Sequence, residues 1–515
     1  MTYGKSLQAL SLVALVAGLA FLVGCSSSSG STPVGVATTV AVSPTAGQAV
    51  TPGETVTITA TVTTASSNTG VTWSLSGPGS LSSTTTNPVT YTAPGSVSAN
   101  TPVVVTATAA ANTSSTAYLP LTLVPSGTVT NTAPLIVNSG PAQNSDNIAF
   151  VSVEICVAGT TTCQTVDDVQ VDTGSQGLRI LQSAIPTLSL TSLTASNGNT
   201  IFNCVSFLDT SYLWGPVQVA DIRINGEVAG GALIQTISSS NSGIPSACTN
   251  GGTINENTPS LLGANGIIGI GLEPTDCTVA GENFCDGSVT SSVPPNYFSC
   301  PSSGCSTGTG ATEITSSNQV VNPVVLFATD FNGSSIEFPA ISASPAAAAS
   351  LSGTLTFGIG TQTNNTLGSA TAFGLDTNDN FITLYNGQTL TASFIDSGSN
   401  ALFFPSSILV CTDNTSFYCP APPTLSQSAT NEGATGTPSS TVGFSVDNAD
   451  NLFKNTSDFA FATLAGPEGT ANTCSNGSGS CTFDFGLPFF FGRTVFTAID
   501  GESVSGVGTG PFWAY

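Results

Sequence analysis

Two short segments carry residue types that could do chemistry. Val169-Gln170-Val171-Asp172-Thr173-Gly174-Ser175 and, 224 residues further on, Phe394-Ile395-Asp396-Ser397-Gly398-Ser399 each place an aspartate directly after an apolar, strand-like run. In both, a hydroxyl, a glycine and a second hydroxyl follow. Gly174 and Gly398 permit a tight turn that brings the carboxylate close to a facing backbone. Thr173, Ser175, Ser397 and Ser399 can hold the carboxylate and the turn by hydrogen bonds. Chance yields roughly 0.1 matches to this pattern in a chain of this composition, and two occur. They read as more than two ordinary Asx-type turns. A carboxylate held in such a turn is a residue type suited to general acid–base chemistry.

Composition narrows the alternatives. The 515 residues include no histidine, so Ser-His-Asp and Cys-His catalysis and histidine-ligated metal are excluded. Five basic residues against 29 acidic ones give a formal net charge of −24, which speaks against any nucleic-acid partner. Neither a metal nor a cofactor is expected. Asp376-Thr377-Asn378-Asp379-Asn380 resembles the start of a calcium loop but lacks its glycine and distal glutamate, and reads as a solvated turn. Arg179, Arg223 and Arg493 are too scattered to form a phosphate clamp.

The elements that must position the two aspartates are strands. Ser, Thr, Asn and Gly supply most of the polarity, prolines number 30, and no long stretch has helical periodicity, so the expected fold class is all-β. Residues 34–124 contain one charged residue, Glu54, and alternate apolar with polar in short runs such as Thr55-Val56-Thr57-Ile58-Thr59 and Val71-Thr72-Trp73-Ser74-Leu75. This reads as an antiparallel β-sandwich with Trp73 in its core. The Val-Thr-Trp-Ser-Leu-Ser and Val-Thr-Tyr-Thr-Ala-Pro segments resemble bacterial immunoglobulin-like repeats, which implies a spacer.

With the two aspartate loops in place, the region from about Ala133 to Tyr515 resembles the pepsin-type aspartic peptidases, a bilobal β-fold with one Asp-Thr/Ser-Gly loop per lobe. Ala264-Asn265-Gly266-Ile267-Ile268-Gly269 matches that family's hydrophobic-hydrophobic-Gly segment beneath the first catalytic loop. Gly353-Thr354-Leu355-Thr356-Phe357-Gly358 matches the strand opening the second lobe, and Phe485-Gly486-Leu487-Pro488-Phe489 the corresponding segment near the C-terminus. The resemblance implies lobes at 134–338 and 339–515, with Asp172 and Asp396 catalytic and a polypeptide substrate or ligand in the cleft between them. It implies a carboxylate-only mechanism, supported by Thr173, Gly174, Ser175, Ser397, Gly398 and Ser399. One element departs from the family. Where those enzymes carry a Tyr-Gly-x-Gly-Ser flap, this chain has Phe207-Leu208-Asp209-Thr210-Ser211-Tyr212-Leu213-Trp214-Gly215. Phe207 falls at the flap tyrosine, Ser211 agrees, and Tyr212 or Trp214 either substitutes at the cleft or packs against the sheet. The altered flap leaves a non-catalytic peptide- or glycan-binding protein as the alternative on the same scaffold. The chain also resembles a group of bacterial secreted proteins that share V-D-T-G-S-x-G and I-D-S-G-S-N and carry no assigned activity.

At the N-terminus, Lys5, an apolar run from Leu10 to Val23 and small residues before Cys25 form a secretory signal over residues 1–24. The pattern resembles a bacterial lipoprotein signal, implying lipidation of Cys25, a Ser-rich tether over 25–33 and a membrane partner reached through the lipid. Ser26 after Cys25 implies delivery to the outer membrane of a diderm bacterium. The other 12 cysteines are even in number, as suits an oxidising compartment. Sequence proximity suggests pairing Cys156 with Cys163, Cys277 with Cys285, Cys300 with Cys305, Cys411 with Cys419 and Cys474 with Cys481, leaving Cys204 to Cys248.

Overall fold

A computed structural model of the chain describes residues 38–43, 48–97, 101–123, 131–207, 211–249, 254–286, 297–342, 346–468 and 482–515. The signal segment, Cys25 and the tether lie outside the described residues. The fold is all-β, as the residue pattern requires.

Alternation in the first ninety residues sets inside from outside. In Thr39–Ser43 and Thr55–Thr63 every second residue turns inward, so each strand has one apolar face. One four-stranded sheet contains those two strands with Val89–Thr92 and Ser80–Leu81. A second contains Gln48–Val50, Thr116–Leu123, Thr101–Ala109 and Val71–Ser76. Their inner faces enclose one core that includes Ile58, Trp73, Tyr91, Val105 and Leu119. Trp73 satisfies its indole by donating to the Thr86 carbonyl at 3.0 Å, and Tyr91 donates to the Pro78 carbonyl at 2.8 Å. Ser76 donates to the Ala158 carbonyl at 3.2 Å, which ties this unit to the rest of the chain.

Beyond it, a 16-stranded sheet and a 7-stranded sheet carry the body. The larger sheet crosses the expected boundary at 338/339, because Thr132–Val137 pairs in register with Leu351–Phe357. Its strands near the first aspartate are β1 (Ala149–Val157), β2 (Cys163–Asp172), β3 (Gln176–Leu181), β4 (Ser211–Ile224), β5 (Glu227–Ile237) and β6 (Gly266–Ile270). Near the second aspartate lie β7 (Gln388–Ile395), β8 (Leu402–Phe403) and β9 (Asp484–Phe485). A core of more than fifty apolar side chains runs through both sheets, from Val153 and Ile234 to Phe404 and Phe485.

Five disulfides join Cys156–Cys163, Cys204–Cys248, Cys277–Cys285, Cys300–Cys305 and Cys411–Cys419, four as sequence proximity suggests and Cys204–Cys248 as the pair that proximity leaves over. The sixth expected pair is not among them. Cys474 and Cys481 both lie outside the described residues, so the disulfide expected between Cys474 and Cys481 is not part of the described structure.

Candidate functional site

The same three-strand device occurs twice. β2 runs into Asp172, the chain turns through Thr173-Gly174-Ser175, and β3 leaves. β6 lies between these arms, parallel to β2 and antiparallel to β3. In the second copy β7 runs into Asp396 and β8 leaves after Ser399, with β9 parallel to β7 and antiparallel to β8. Glycine is required where the middle strand passes the loop. A Cβ on Gly269 would lie 2.5 Å from the Gln176 nitrogen, and one on Gly486 would lie 2.1 Å from the Ala401 carbonyl oxygen.

The two loops meet each other. Thr173 and Ser397 exchange bonds: the Thr173 amide donates to Ser397 Oγ at 3.1 Å, and the Ser397 amide donates to Thr173 Oγ1 at 2.9 Å. Each hydroxyl then donates across, Ser397 to the Val171 carbonyl and Thr173 to the Ile395 carbonyl. Gln170 adds a bond to the Gly398 carbonyl at 3.0 Å. These crossed bonds bring the tips so close that a Cβ on Gly174 would lie 2.6 Å from Asp396 Cγ, and one on Gly398 2.5 Å from Asp172 Oδ1. Residues 224 apart in sequence are thus fixed carboxyl against carboxyl.

Each carboxyl has its own cradle. Asp172 Oδ1 accepts from the Gly174 amide at 2.8 Å and Oδ2 from the Ser175 hydroxyl. Asp396 Oδ1 accepts from the Gly398 amide at 2.7 Å and Oδ2 faces Ser399 Oγ at 2.8 Å. Both side chains are wholly buried, and their carboxyls lie in hydrogen-bonding contact. Burial raises both pKa values, but not equally. For Asp172 it is opposed by the Ser175 hydroxyl, the bond from Asp396, the Gly174 amide and the nearby Arg179 charge. Asp396 is pushed well above the usual carboxyl range by burial and then by the neighbouring carboxyls of Asp172 and Asp484. Both carboxyls are thus held above the ordinary range, with the Arg179 charge on the side of Asp172 and the Asp484 carboxyl on the side of Asp396.

Two partners of this asymmetry were not legible in the sequence. Arg179 leaves the first loop on β3, is 2% exposed, and pairs with Asp276 at 3.0 Å. Asp276 also accepts from Asn203 at 2.9 Å and from the Tyr297 hydroxyl at 2.6 Å. Arg179 reads as one of several scattered cations in the sequence, and its partner lies 97 residues away. The only signal was a cation seven residues after Asp172 in a chain with almost none. The pair is tightly buried, so Arg179→Met strands the Asp276 carboxylate and is expected to destabilise the fold by about 3–5 kcal/mol. Chemical denaturation of the variant measures this; a midpoint equal to wild type would contradict it. The second partner is Asp484 on β9, whose Oδ2 lies 2.6 Å from Ser399 Oγ.

The residues expected at a flap lie in packed clusters. Phe207 enters a core with Phe150, Leu213 and Ile267. Tyr212 and Trp214 pack around the Cys204–Cys248 disulfide, where Trp214 stacks on Phe202 with ring centroids 5.0 Å apart and meets Phe298 edge-on. Ser211 is 3% exposed. Of the two options the sequence leaves for Tyr212 and Trp214, the structure takes packing against the sheet. Beside the first loop lies a cavity of about 70 Å³ lined by Thr173, Gly174, Gln176, Glu273, Asp379 and Trp513. It is roomy and polar enough for water. The Asp376–Asn380 segment is a turn in which Asp376 Oδ1 accepts from the amides of Asn378 and Asn380.

No curated protein matches the chain. A sequence family described as "Protein of unknown function (DUF3443)" matches residues 127–515, the part of the chain that follows the two four-stranded sheets and contains both aspartate loops. The chain belongs to that DUF3443 family.

Proposed function

We propose that this chain is an aspartic endopeptidase on a pepsin-like bilobal scaffold, lipid-anchored at Cys25 in the bacterial envelope and held off the membrane by the tether and an immunoglobulin-like spacer. The observation that carries this reading is the crossing of two matching loops with one carboxyl from each in contact and both wholly buried. In this mechanism Asp172, charged, takes a proton from a water as it attacks the scissile carbonyl, while Asp396 donates its proton to the carbonyl oxygen. A gem-diol results. Asp172 then returns its proton to the leaving nitrogen, and Asp396 recovers one from the gem-diol hydroxyl as the C–N bond breaks. No covalent intermediate and no metal is required.

A second reading has its own observation. Phe207, Tyr212 and Trp214 are taken up in cores, and a scaffold without the Tyr-Gly-x-Gly-Ser flap sequence could hold a peptide or glycan without cutting it. Incubation with an unfolded polypeptide at acidic pH separates the two. The peptidase reading predicts fragments whose formation pepstatin blocks; a protein that binds the polypeptide and releases it intact would favour the second reading.

A further inference from the structure

Asp484 is a third buried carboxyl at the site, placed by strand geometry. On β9 alternate residues face opposite ways. Phe483 and Phe485 stack on one face with centroids 4.0 Å apart, and Asp484 is turned to the other, toward Ser399. The two copies of the three-strand device differ here. Two residues before Gly269 the first copy has Ile267; two residues before Gly486 the second has Asp484. An aspartate thus occupies a wholly buried position that its counterpart fills with an apolar side chain.

Counting protons fixes its state. Three contacts are made in series: Asp172 to Asp396, Asp396 to Ser399, and Ser399 to Asp484. Each needs one hydrogen, and Ser399 has only one to give. The three carboxyls must therefore supply two protons between them, leaving one charge. That charge belongs where donors converge. Asp172 accepts from the Gly174 amide and the Ser175 hydroxyl, Asp396 from the Gly398 amide and the Ser399 hydroxyl, and the Arg179 charge lies on the Asp172 side. Asp484 Oδ1 has no hydrogen-bond partner among the described residues, and a buried carboxylate with an unmet oxygen is costly. We infer that Asp484 is a neutral positioning residue whose carboxyl O–H donates to Ser399 Oγ, so that Ser399 gives its own hydrogen to Asp396 and the single charge stays on Asp172.

The other groups facing Asp484 agree. Asp396 directly follows the adjoining β7, Asp172 lies across the loop contact, and Glu468 follows the short strand Ala465–Gly466 paired with β8. All are carboxyls, and none offers a positive charge that would favour ionised Asp484. Burial, then the charges of Glu468 and Asp172, hold its pKa well above the ordinary range, against the Ser399 bond. The proton placement stands on geometry alone, whereas its catalytic consequence rests on the peptidase reading.

Infrared difference spectra between wild type and Asp484→Asn at neutral pH test the placement. The expected result is the loss of one protonated-carboxyl band; an unchanged protonated-carboxyl signal would overturn the inference. Kinetics test the consequence. Asp484→Asn keeps a donor toward Ser399 and should retain kcat within about threefold, with the pH profile unmoved. Asp484→Leu removes the donor and should lower kcat about tenfold at similar KM, the worth of one buried hydrogen bond. If Asn and Leu lose activity alike, or Asn shifts the profile, Asp484 carries the charge and the assignment fails. A wild type with the band but no hydrolysis would leave Asp484 neutral and reject the peptidase reading instead.

Discussion

Asp172→Asn and Asp396→Asn are each expected to lower kcat for peptide hydrolysis about a thousandfold or more without lowering the melting temperature. General acid–base assistance contributes about 10²- to 10⁴-fold, and either substitution removes half of a pair whose two members act in the same step. The Asn carbonyl oxygen can still accept from the glycine amide, and its NH2 can donate to the serine hydroxyl, turned to accept, and to the facing carboxyl. It also removes an ionisable group from a site with no exposure to solvent, so folding loses little. A structural role would show the opposite: activity would fall only as far as stability did. Residual hydrolysis within about tenfold of wild type would count against the pair as the catalyst.

Lowering the pH from 7 to 5 is expected to stabilise the protein by on the order of 5 kcal/mol and to raise its melting temperature by several degrees. Most carboxyls that depart from ordinary behaviour are shifted upward by burial. Glu227 is raised to about 9 by burial and then by the charge of Asp330. Glu273 is also raised to about 9, by burial and then by Asp379, while Asp379, Asp146 and Asp221 are raised to about 6. Exposed Glu54, lowered by its bonds from Thr51, runs the other way. Between its unfolded value near 4.5 and its folded value near 9, such a glutamate binds more protons folded than unfolded. Stability then falls as pH rises through that window. Each unit is worth about 1.4 kcal/mol, so two glutamates across two units give the stated size. Protonation also relieves the mutual repulsion of a chain at −24. Thermal melts at the two pH values check this; a lower melting temperature at pH 5 would contradict it. Acid-stable folding would place greatest stability where an aspartic pair works.

What could be read in the sequence was local or periodic. The Asp-hydroxyl-Gly-hydroxyl loops, the alternating strands of the sandwich and the cysteine pairs five to eight residues apart each announce themselves within one segment. What could not be read depends on which strand lies beside which. Asp484 sits between Phe483 and Phe485, and the apolar neighbours that make the segment look like core are the reason its side chain is turned out of that core into the site. Arg179 and Asp276 meet only because β3 and the segment after β6 are brought together. Tyr212 and Trp214 had two readings because β4 is buried on both faces along most of its length, where alternation carries no signal. The larger sheet crosses the expected 338/339 boundary through Thr132–Val137, more than two hundred residues from its partner Leu351–Phe357, and through Gly333–Phe338, which pairs with Leu351–Phe357 and Arg493–Ala498.

The most direct test of the shared-proton pair is mass-spectrometric mapping of the fragments released from one unfolded polypeptide at about pH 4, where one carboxyl of such a pair still holds its proton, by wild type, Asp172→Asn and Asp396→Asn purified alike. Catalysis by the pair predicts defined cleavage sites with wild type and intact substrate with both variants. The same fragments from all three proteins would contradict it.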